Sequence, residues 1–579
     1  MSAERRLRAV LALLVAVLGL FCGRLFQIQG LDSAALASRA LDQRTVDRTL
    51  PAHRGDIVDR DGAVLATTVE RRNVTVDQTL VHGYKRMVDG KKVVVGVPGA
   101  ATDLAGVLGL PVDDVRTALT GTRKFAYVTK GISPQLWRRV ERLRIPGVFS
   151  EYAATRSYPS GAVGASVVGA MGTDGRPLTG IENSLHSALA GKDGSASYEK
   201  GVDGRQIPGG LSREVAPVPG GTVRLSIRTD LQYRAETALA EQVRRTGAES
   251  GAIVVRDVRS PDILAIATYP TFDRADPGKS LQLLNNHALM DVFEPGSTAK
   301  VITAAAAMEE GKVRPATGLV VDGTIRRGGR TFHDSHSHGP EKLTFAGVLA
   351  QSSNVGTIMV GERLSPEVMH RYLTAFGVGQ KTGVGLPESR GLLAAPQDWN
   401  ASQRYTVLFG QGVSVTALQA TDVFQTIANK GVRIPPRLVQ ATLDADGSPV
   451  PQPRPAGVRV VSERTATELS TILESVVSEE GTAESAQIPG YRVAGKTGTA
   501  QAVDTQCGCY RGYTASFIGY APADDPRLVV SVVLQRPVNG HYGGTVAAPV
   551  FKEVMSYALA QEAVPPTGRK APAVKLTWR

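Results

Sequence analysis

The longest apolar run lies at the start of the chain. After Arg5, Arg6 and Arg8, residues 9–23 carry no charge, and Leu25-Phe26 extend the run past Arg24. The clean run is about 15 residues, short of the ~20 of a comfortable membrane span, so Arg24 has to snorkel toward the outer interface. Downstream the periods are short. Asn73–Val76 and Lys92–Val97 read as strands and Pro134–Leu143 as a helix, with dense turn signals between them. Near Gly220 the register changes. Val223–Ile227 reads as a strand, and Thr229 with Gln232 resembles a capping box opening a helix from Asp230 to Arg244. Gly251–Val255 and Ile263–Thr268 read as paired strands about a turn at Ser260-Pro261-Asp262. A mostly helical stretch follows to Ser478. Arg492–Lys496, Tyr513–Tyr520 and Leu528–Leu534 then read as strands and Ala547–Ala560 as a helix. Strands at both ends of a segment with helices between them predict one α/β layered domain with a helical insertion. The tail from Gln561 to Arg579, rich in Pro, Lys and Arg, reads as loose.

With 579 residues the chain exceeds one ordinary core. A hydrophobic content of 42% with 21% charged residues describes a folded protein and excludes an intrinsically disordered one. The net charge of +12 suits an anionic partner such as a membrane surface or wall polymer. The basic residues are dispersed, with no block that reads as a nucleic-acid arm. The cysteines, Cys22, Cys507 and Cys509, supply no disulfide framework. The arginine cluster before the apolar run predicts a cytoplasmic N-terminus and an extracytoplasmic bulk. A cleaved signal peptide is the alternative. No small-x-small site directly follows Gly23, Ala35-x-Ala37 lies far downstream, and Phe21 precedes Cys22 where a lipoprotein needs a small residue. An uncleaved signal anchor is expected.

The candidate chemistry centres on Glu294-Pro295-Gly296-Ser297-Thr298-Ala299-Lys300. Pro295 and Gly296 break the preceding element, and Ala304–Ala307 favour a helix that Gly311 can end. Ser297 and Lys300, three apart, share one helix face near its positive end. A desolvated lysine there can serve as a neutral base for a serine. By itself Ser-x-x-Lys is also an ordinary pattern on a solvated helix. Two further groups change its weight. Ser352-Ser353-Asn354 follows the helix-like run Leu343–Ala350; its plain reading is helix capping. Lys496-Thr497-Gly498-Thr499 lies on a strand, with Lys496 and Gly498 on one face and the threonines on the other. Gly498 permits close approach of an extended peptide.

In that order, Ser-x-x-Lys, Ser-x-Asn and Lys-Thr-Gly resemble the penicillin-recognising serine acyl transferases. Phe293-Glu294-Pro295-Gly296-Ser297, Arg54-Gly55-x-Ile57-x-Asp59-Arg60, Arg156-x-Tyr158-Pro159, Gly180-Ile181-Glu182, Gly410-Gln411-Gly412 and Tyr542-Gly543-Gly544 extend the resemblance, over nearly the whole chain, to class B penicillin-binding proteins of the division type, the septal peptidoglycan D,D-transpeptidases. The resemblance implies an α/β penicillin-recognising domain, an antiparallel sheet flanked by helices plus a helical subdomain. An elongated α+β pedestal and one transmembrane helix would precede it. The implied divisions are a cytoplasmic segment 1–8, a signal anchor 9–28, a non-catalytic pedestal or dimerisation-type domain 29–220, a transpeptidase domain 221–560 and a flexible basic tail 561–579.

It also implies roles. Ser297 would be the acylated nucleophile and Lys300 its base. Ser352 would relay a proton to the leaving D-alanine. Asn354 would hold the peptide and help keep Lys300 in place, and Lys496 would set the electrostatics around Ser352. Thr497 and Thr499, about Gly498, would bind the terminal carboxylate, with the N–H groups of Ser297 and Thr499 as the oxyanion hole. No metal or organic cofactor is implied. The implied partners are peptidoglycan stem peptides, β-lactams, other division proteins and a multi-pass membrane glycan polymerase, at the division septum. A D,D-carboxypeptidase or a penicillin sensor would use the same residues.

Some features fall outside this pattern. Asn286-His287-Ala288 has histidine where arginine is expected. Cys507-Gly508-Cys509 leaves free thiols and a short disulfide equally open. His333, Asp334, His336 and His338 raise a zinc site as the alternative to unligated loop histidines. Gly490–Thr497 fits the P-loop pattern literally, which offers an ATPase as a remote alternative. A P-loop should follow a buried strand and open a helix, whereas this segment reads as strand.

Overall fold

The computed structural model describes residues 3–199, 201, 207–452, 456–504 and 506–579; residues 1 and 2 of the expected cytoplasmic segment lie outside it. The chain forms two compact units, Met1–Arg54 with Ala190–Gly220, and Gly55–Leu189 with Gly221–Arg579.

In the first unit a helix spans Ala3–Phe26 and continues through one wider turn, Gln27–Leu31. Among the described residues none buries its apolar side chains. Arg24 turns to Gln27 Oε1 at 2.7 Å. So much uncovered apolar surface is costly in water and suits hydrocarbon. A second helix, Ser33–Arg44, leads into an antiparallel sheet of Thr45–Leu50, Gly194–Glu199 and Ser212–Val215.

The second unit holds a central antiparallel sheet. Its elements are α1 (Thr229–Thr246), β1 (Ser250–Asp257), β2 (Ile263–Tyr269), α2 (Lys300–Glu309), α3 (Phe345–Ala350), α4 (Asn354–Gly361), α5 (Ala417–Ala428), α6 (Glu463–Ser475), β3 (Ala494–Asp504), β4 (Cys509–Ala521), β5 (Leu528–Gln535) and α7 (Ala548–Gln561). The strand order is β2-β1-β5-β4-β3. β5 is a near-continuous run of valine and leucine, and β1 holds the apolar stretch Ala252–Val255, because both their faces are buried. α1 and α7 pack together against this sheet, as do α5 and α6. α2 is buried all round, so its Ala304–Ala307 run serves close packing as well as helix propensity.

Gly55–Leu189 belongs to the same unit through a second sheet. There Thr222–Leu225 pairs with Ile57–Val58 on one side and Val439–Leu443 on the other. The scattered arginine and glutamate motifs meet beside it. Arg156 Nε donates to Glu182 Oε1 at 2.6 Å and Nη1 to the Gly55 carbonyl at 2.8 Å, both side chains being buried. A separate small core forms from Val74, Val76, Leu104, Leu119 and Val140.

Two expectations change here. The capping box at Thr229 does not form. The Asp59 carboxylate takes the Thr229 hydroxyl at 2.7 Å and its N–H at 3.2 Å, while Gln232 is buried and bonds both ways with the Ile266 backbone. A partner 170 residues away supplies the cap.

The expectation of a loose, flexible tail does not describe its last residues. Thr577 bridges Leu343, the Thr344 hydroxyl donates to Lys575 O at 2.6 Å, and Trp578 Nε1 donates to Leu319 O at 3.0 Å. Thr344 also caps α3 by accepting the Gly347 N–H at 3.1 Å. Deleting 575–579 is expected to speed hydrogen–deuterium exchange across 341–347 on the order of tenfold, through loss of these bonds and of buried Leu576. Unchanged exchange would show that the clasp adds no local stability.

Candidate active site

Ser297 sits in a tight turn, Gly296–Ala299, that tips directly into α2. Three contacts fix the turn. Phe293 bridges Val415, the Gly296 N–H donates to Gly410 O at 3.0 Å, and Glu294 Oε1 accepts the Gly412 N–H at 2.7 Å. The Gly410-Gln411-Gly412 motif is therefore the support of the serine turn. Gly296 has φ +51°, and a Cβ on it would stand 2.9 Å from Ala500 Cβ on β3, so both dihedral and space require glycine. Ser297 is half-buried, and among the described residues neither its N–H nor its hydroxyl is hydrogen-bonded.

Lys300, the first residue of α2, is fully buried. Its ammonium nitrogen lies 2.5 Å from the Ser352 carbonyl and 3.4 Å from Ser352 Oγ. Ser352 adopts φ +63°, an uncommon conformation for a serine, in the connection between α3 and α4. Burial brings the Lys300 pKa down from 10.5 to about 7, against the opposing pull of the Asp334 carboxylate. A lysine so tuned exists near neutrality as a free amine able to accept a proton.

Asn354 does not bond Lys300. Its Nδ2 donates to His333 O at 3.1 Å, and the Ser352 backbone takes the lysine instead. Asp334 gathers the N-terminus of α4, accepting from Ser353 Oγ at 2.7 Å, Asn354 N–H at 2.5 Å and Val355 N–H at 3.0 Å. In sequence Asp334 stands out only as a candidate metal ligand among the histidines. Its tie to Lys300 depends on a loop closing over 20 residues, which no local pattern records.

The neighbouring histidines are dispersed. His338 pairs with Asp334 at 3.1 Å, while His333 and His336 engage adjacent groups. Among the described residues no three His, Cys, Asp or Glu side chains converge as a metal site. Asp334→Asn is expected to lower the Lys300 pKa further, because it removes the charge that favours the ammonium. Nitrogen NMR of the lysine across pH checks this, and an upward shift would contradict it.

β3 brings the last group. It is the edge strand of the central sheet, and the serine turn packs against it. A Cβ on Gly498 would collide with Ser516 Oγ and stand 3.0 Å from Thr298 Cγ2, so glycine lets turn and strand meet. Lys496 is fully buried, and burial followed by the nearby charge of Lys300 holds its pKa well below the ordinary lysine range. Its Nζ reaches Thr497 Oγ1 at 3.3 Å. The two threonines differ. Thr497 is buried with its hydroxyl 2.8 Å from Thr482 Oγ1, whereas Thr499 is half-exposed and accepts the Gly543 N–H at 3.2 Å. Tyr542-Gly543-Gly544 thus underlies the strand. An edge strand offers unpaired backbone groups to an extended peptide. The P-loop alternative fails on this geometry, since the lysine and threonine sit inside a strand that continues to Asp504 and open no helix.

Cys507 and Cys509, left open between thiols and disulfide, are joined. His287, standing where arginine was expected, pairs with Asp291 at 2.9 Å, which raises its pKa.

Residues 251–556 match the penicillin binding protein transpeptidase domain, and residues 49–177 the penicillin-binding protein dimerisation domain. Penicillin-binding protein PbpB of Mycolicibacterium smegmatis is 37% identical over 97% of this chain and 91% of its own length. Peptidoglycan D,D-transpeptidase FtsI of Escherichia coli is 31% identical over 94% of this chain and 90% of its own. The crystal structure of penicillin binding protein 3 from Mycobacterium tuberculosis complexed with aztreonam superposes with TM-score 0.71 at 34% identity, covering 92% of this chain and all of that one. With both domains matched, and with a buried amine, a serine turn and a Lys-Thr-Gly edge strand gathered at one place, the chain belongs to the class B penicillin-binding proteins.

Proposed function

We propose that this protein is a peptidoglycan D,D-transpeptidase, inhibited covalently by β-lactams, acting in septal wall synthesis. The observation that carries the reading is the buried Lys300 amine, its pKa near 7, at the start of the helix one turn from an uncommitted serine hydroxyl.

In this reading Ser297 Oγ attacks the carbonyl of the penultimate D-alanine, and its proton passes to Lys300 Nζ. The oxyanion is held by the N–H groups of Ser297 and Thr499; one such donor is worth on the order of a hundredfold or more in rate. As the C–N bond breaks, Ser352 passes a proton to the departing D-alanine amine, drawing on Lys300 3.4 Å away. An amine from a neighbouring stem peptide then attacks the acyl-enzyme and returns the serine proton. Lys496 sets the potential around Ser352, Asn354 holds the peptide, and Thr499 with Thr497 receives the terminal carboxylate beside Gly498. Residues 29–220 serve as the non-catalytic module and 221–560 as the transpeptidase domain. The N-terminal helix anchors the protein with residues 1–8 in the cytoplasm. A multi-pass glycan polymerase, docked through the anchor and the non-catalytic module, supplies the strands together with other division proteins.

The test is the full-length protein in detergent with glycan strands bearing D-Ala-D-Ala stems. Cross-linked dimer supports the proposal. Free D-alanine without dimer makes the protein a carboxypeptidase, and a stoichiometric penicillin adduct without turnover makes it a sensor.

A further inference from the structure

β3 and β4 end in the pairs Val503–Tyr510 and Asp504–Cys509. Next to them lie the Cys507–Cys509 disulfide, which ties the first residue of β4 to the turn, and the Gly508 N–H on Asp504 O at 2.9 Å. Tyr510 follows at once. Its phenol donates to the Glu294 carboxylate, 3.3 Å from Oε1 and 3.2 Å from Oε2. The same carboxylate accepts the Gly412 N–H at 2.7 Å. One side chain, three residues before Ser297, therefore joins the far end of the hairpin, the glycine loop under the serine turn, and the turn itself. Burial raises the Glu294 pKa, and these two donors oppose it. Tyr510 is 50% exposed, so core packing does not hold it. Its place depends on the strand end that carries it, where the preceding residue, Cys509, is tied to Cys507 in the turn. Closing a short loop removes competing conformations of the groups beside it.

We propose that Tyr510 and Glu294 are positioning residues for acylation, and that the Cys507–Cys509 disulfide keeps the Tyr510 phenol seated on Glu294. The inference rests on Ser297 being the acylated residue. Reduction by a dithiol adds two electrons and two protons to the cysteine sulfurs, while the dithiol closes to its own disulfide. The turn is then freed while the β3–β4 pairs remain, and the phenol is held less firmly on the carboxylate. Glu294 retains the Gly412 bond, so the serine turn loosens without unfolding.

The test is the rate of benzylpenicillin acylation of the full-length protein, with and without prior reduction by dithiothreitol that is then removed. Reduction is expected to slow the oxidised wild type about fivefold, the size of one net hydrogen bond. Tyr510→Phe should show the slow rate in both redox states, as should Cys507→Ser/Cys509→Ser. Combining the two changes should slow acylation no further. Glu294→Gln, which keeps the acceptor, should stay near the wild-type rate, while Glu294→Ala should not. Equal rates for reduced and oxidised wild type would overturn the proposal, as would a Tyr510→Phe protein that still responds to reduction. Absence of any adduct on wild-type Ser297 would instead overturn the functional reading beneath it.

Discussion

Ser297→Ala should bind penicillin without forming any covalent adduct, and its transpeptidation should fall on the order of a millionfold, as when a nucleophile is removed from a set of groups acting as a unit. The expectation follows from the turn. Ser297 combines an uncommitted hydroxyl and N–H, a helix N-terminus, and an edge strand packed behind it. Ser352 Oγ is the other hydroxyl near the buried amine, but its backbone carbonyl is already bonded to that amine and its φ is +63°. Intact-protein mass spectrometry after benzylpenicillin, with peptide mapping, decides the matter. An adduct persisting on the alanine variant, at Ser352 or elsewhere, would remove the basis of the mechanism.

Lys300→Met should slow acylation on the order of a thousandfold or more, the upper range for loss of a general base. The pH profile of the wild type carries the same claim with a sign. Burial lowers the Lys300 pKa from 10.5 to about 7. Below that value the amine is protonated and cannot take the serine proton, so the rate should fall about tenfold per pH unit toward acid. Above it the rate should level off. A rate still climbing steeply from pH 8 to 10 would mean an ordinary lysine and reject the assignment. The methionine variant, lacking the titrating group, should lose the acid limb altogether.

Much of this site was legible because its parts are local. The serine turn needs Pro295-Gly296 and a run of alanines, and the strand of Lys496 needs a glycine where another backbone comes close. Both constraints are written in adjacent residues. The strands β1, β2 and β5 were legible for the same reason, as short runs of β-branched residues bounded by turn signals. Asp59 capping a helix 170 residues away was not, because a nearby Gln232 offered a plausible local answer. The docking of Trp578 was hidden too, since a basic, proline-rich tail carries no periodicity whatever it binds.

The sequence by itself determined the order and spacing of the reactive groups, the apolar N-terminal helix, and the strands of the central sheet, but not the short strands between Gly318 and Arg459, in a stretch that reads as mostly helical. Each is set by a pattern within a few residues. Only the tertiary structure decided that Lys300 and Lys496 are both dry, that Asp334 opposes the loss of the Lys300 proton, and that Ser352, rather than Asn354, holds the amine. Burial and charge proximity depend on what the rest of the chain places around a residue, and the free energy of moving an ion out of water is fixed by that surrounding.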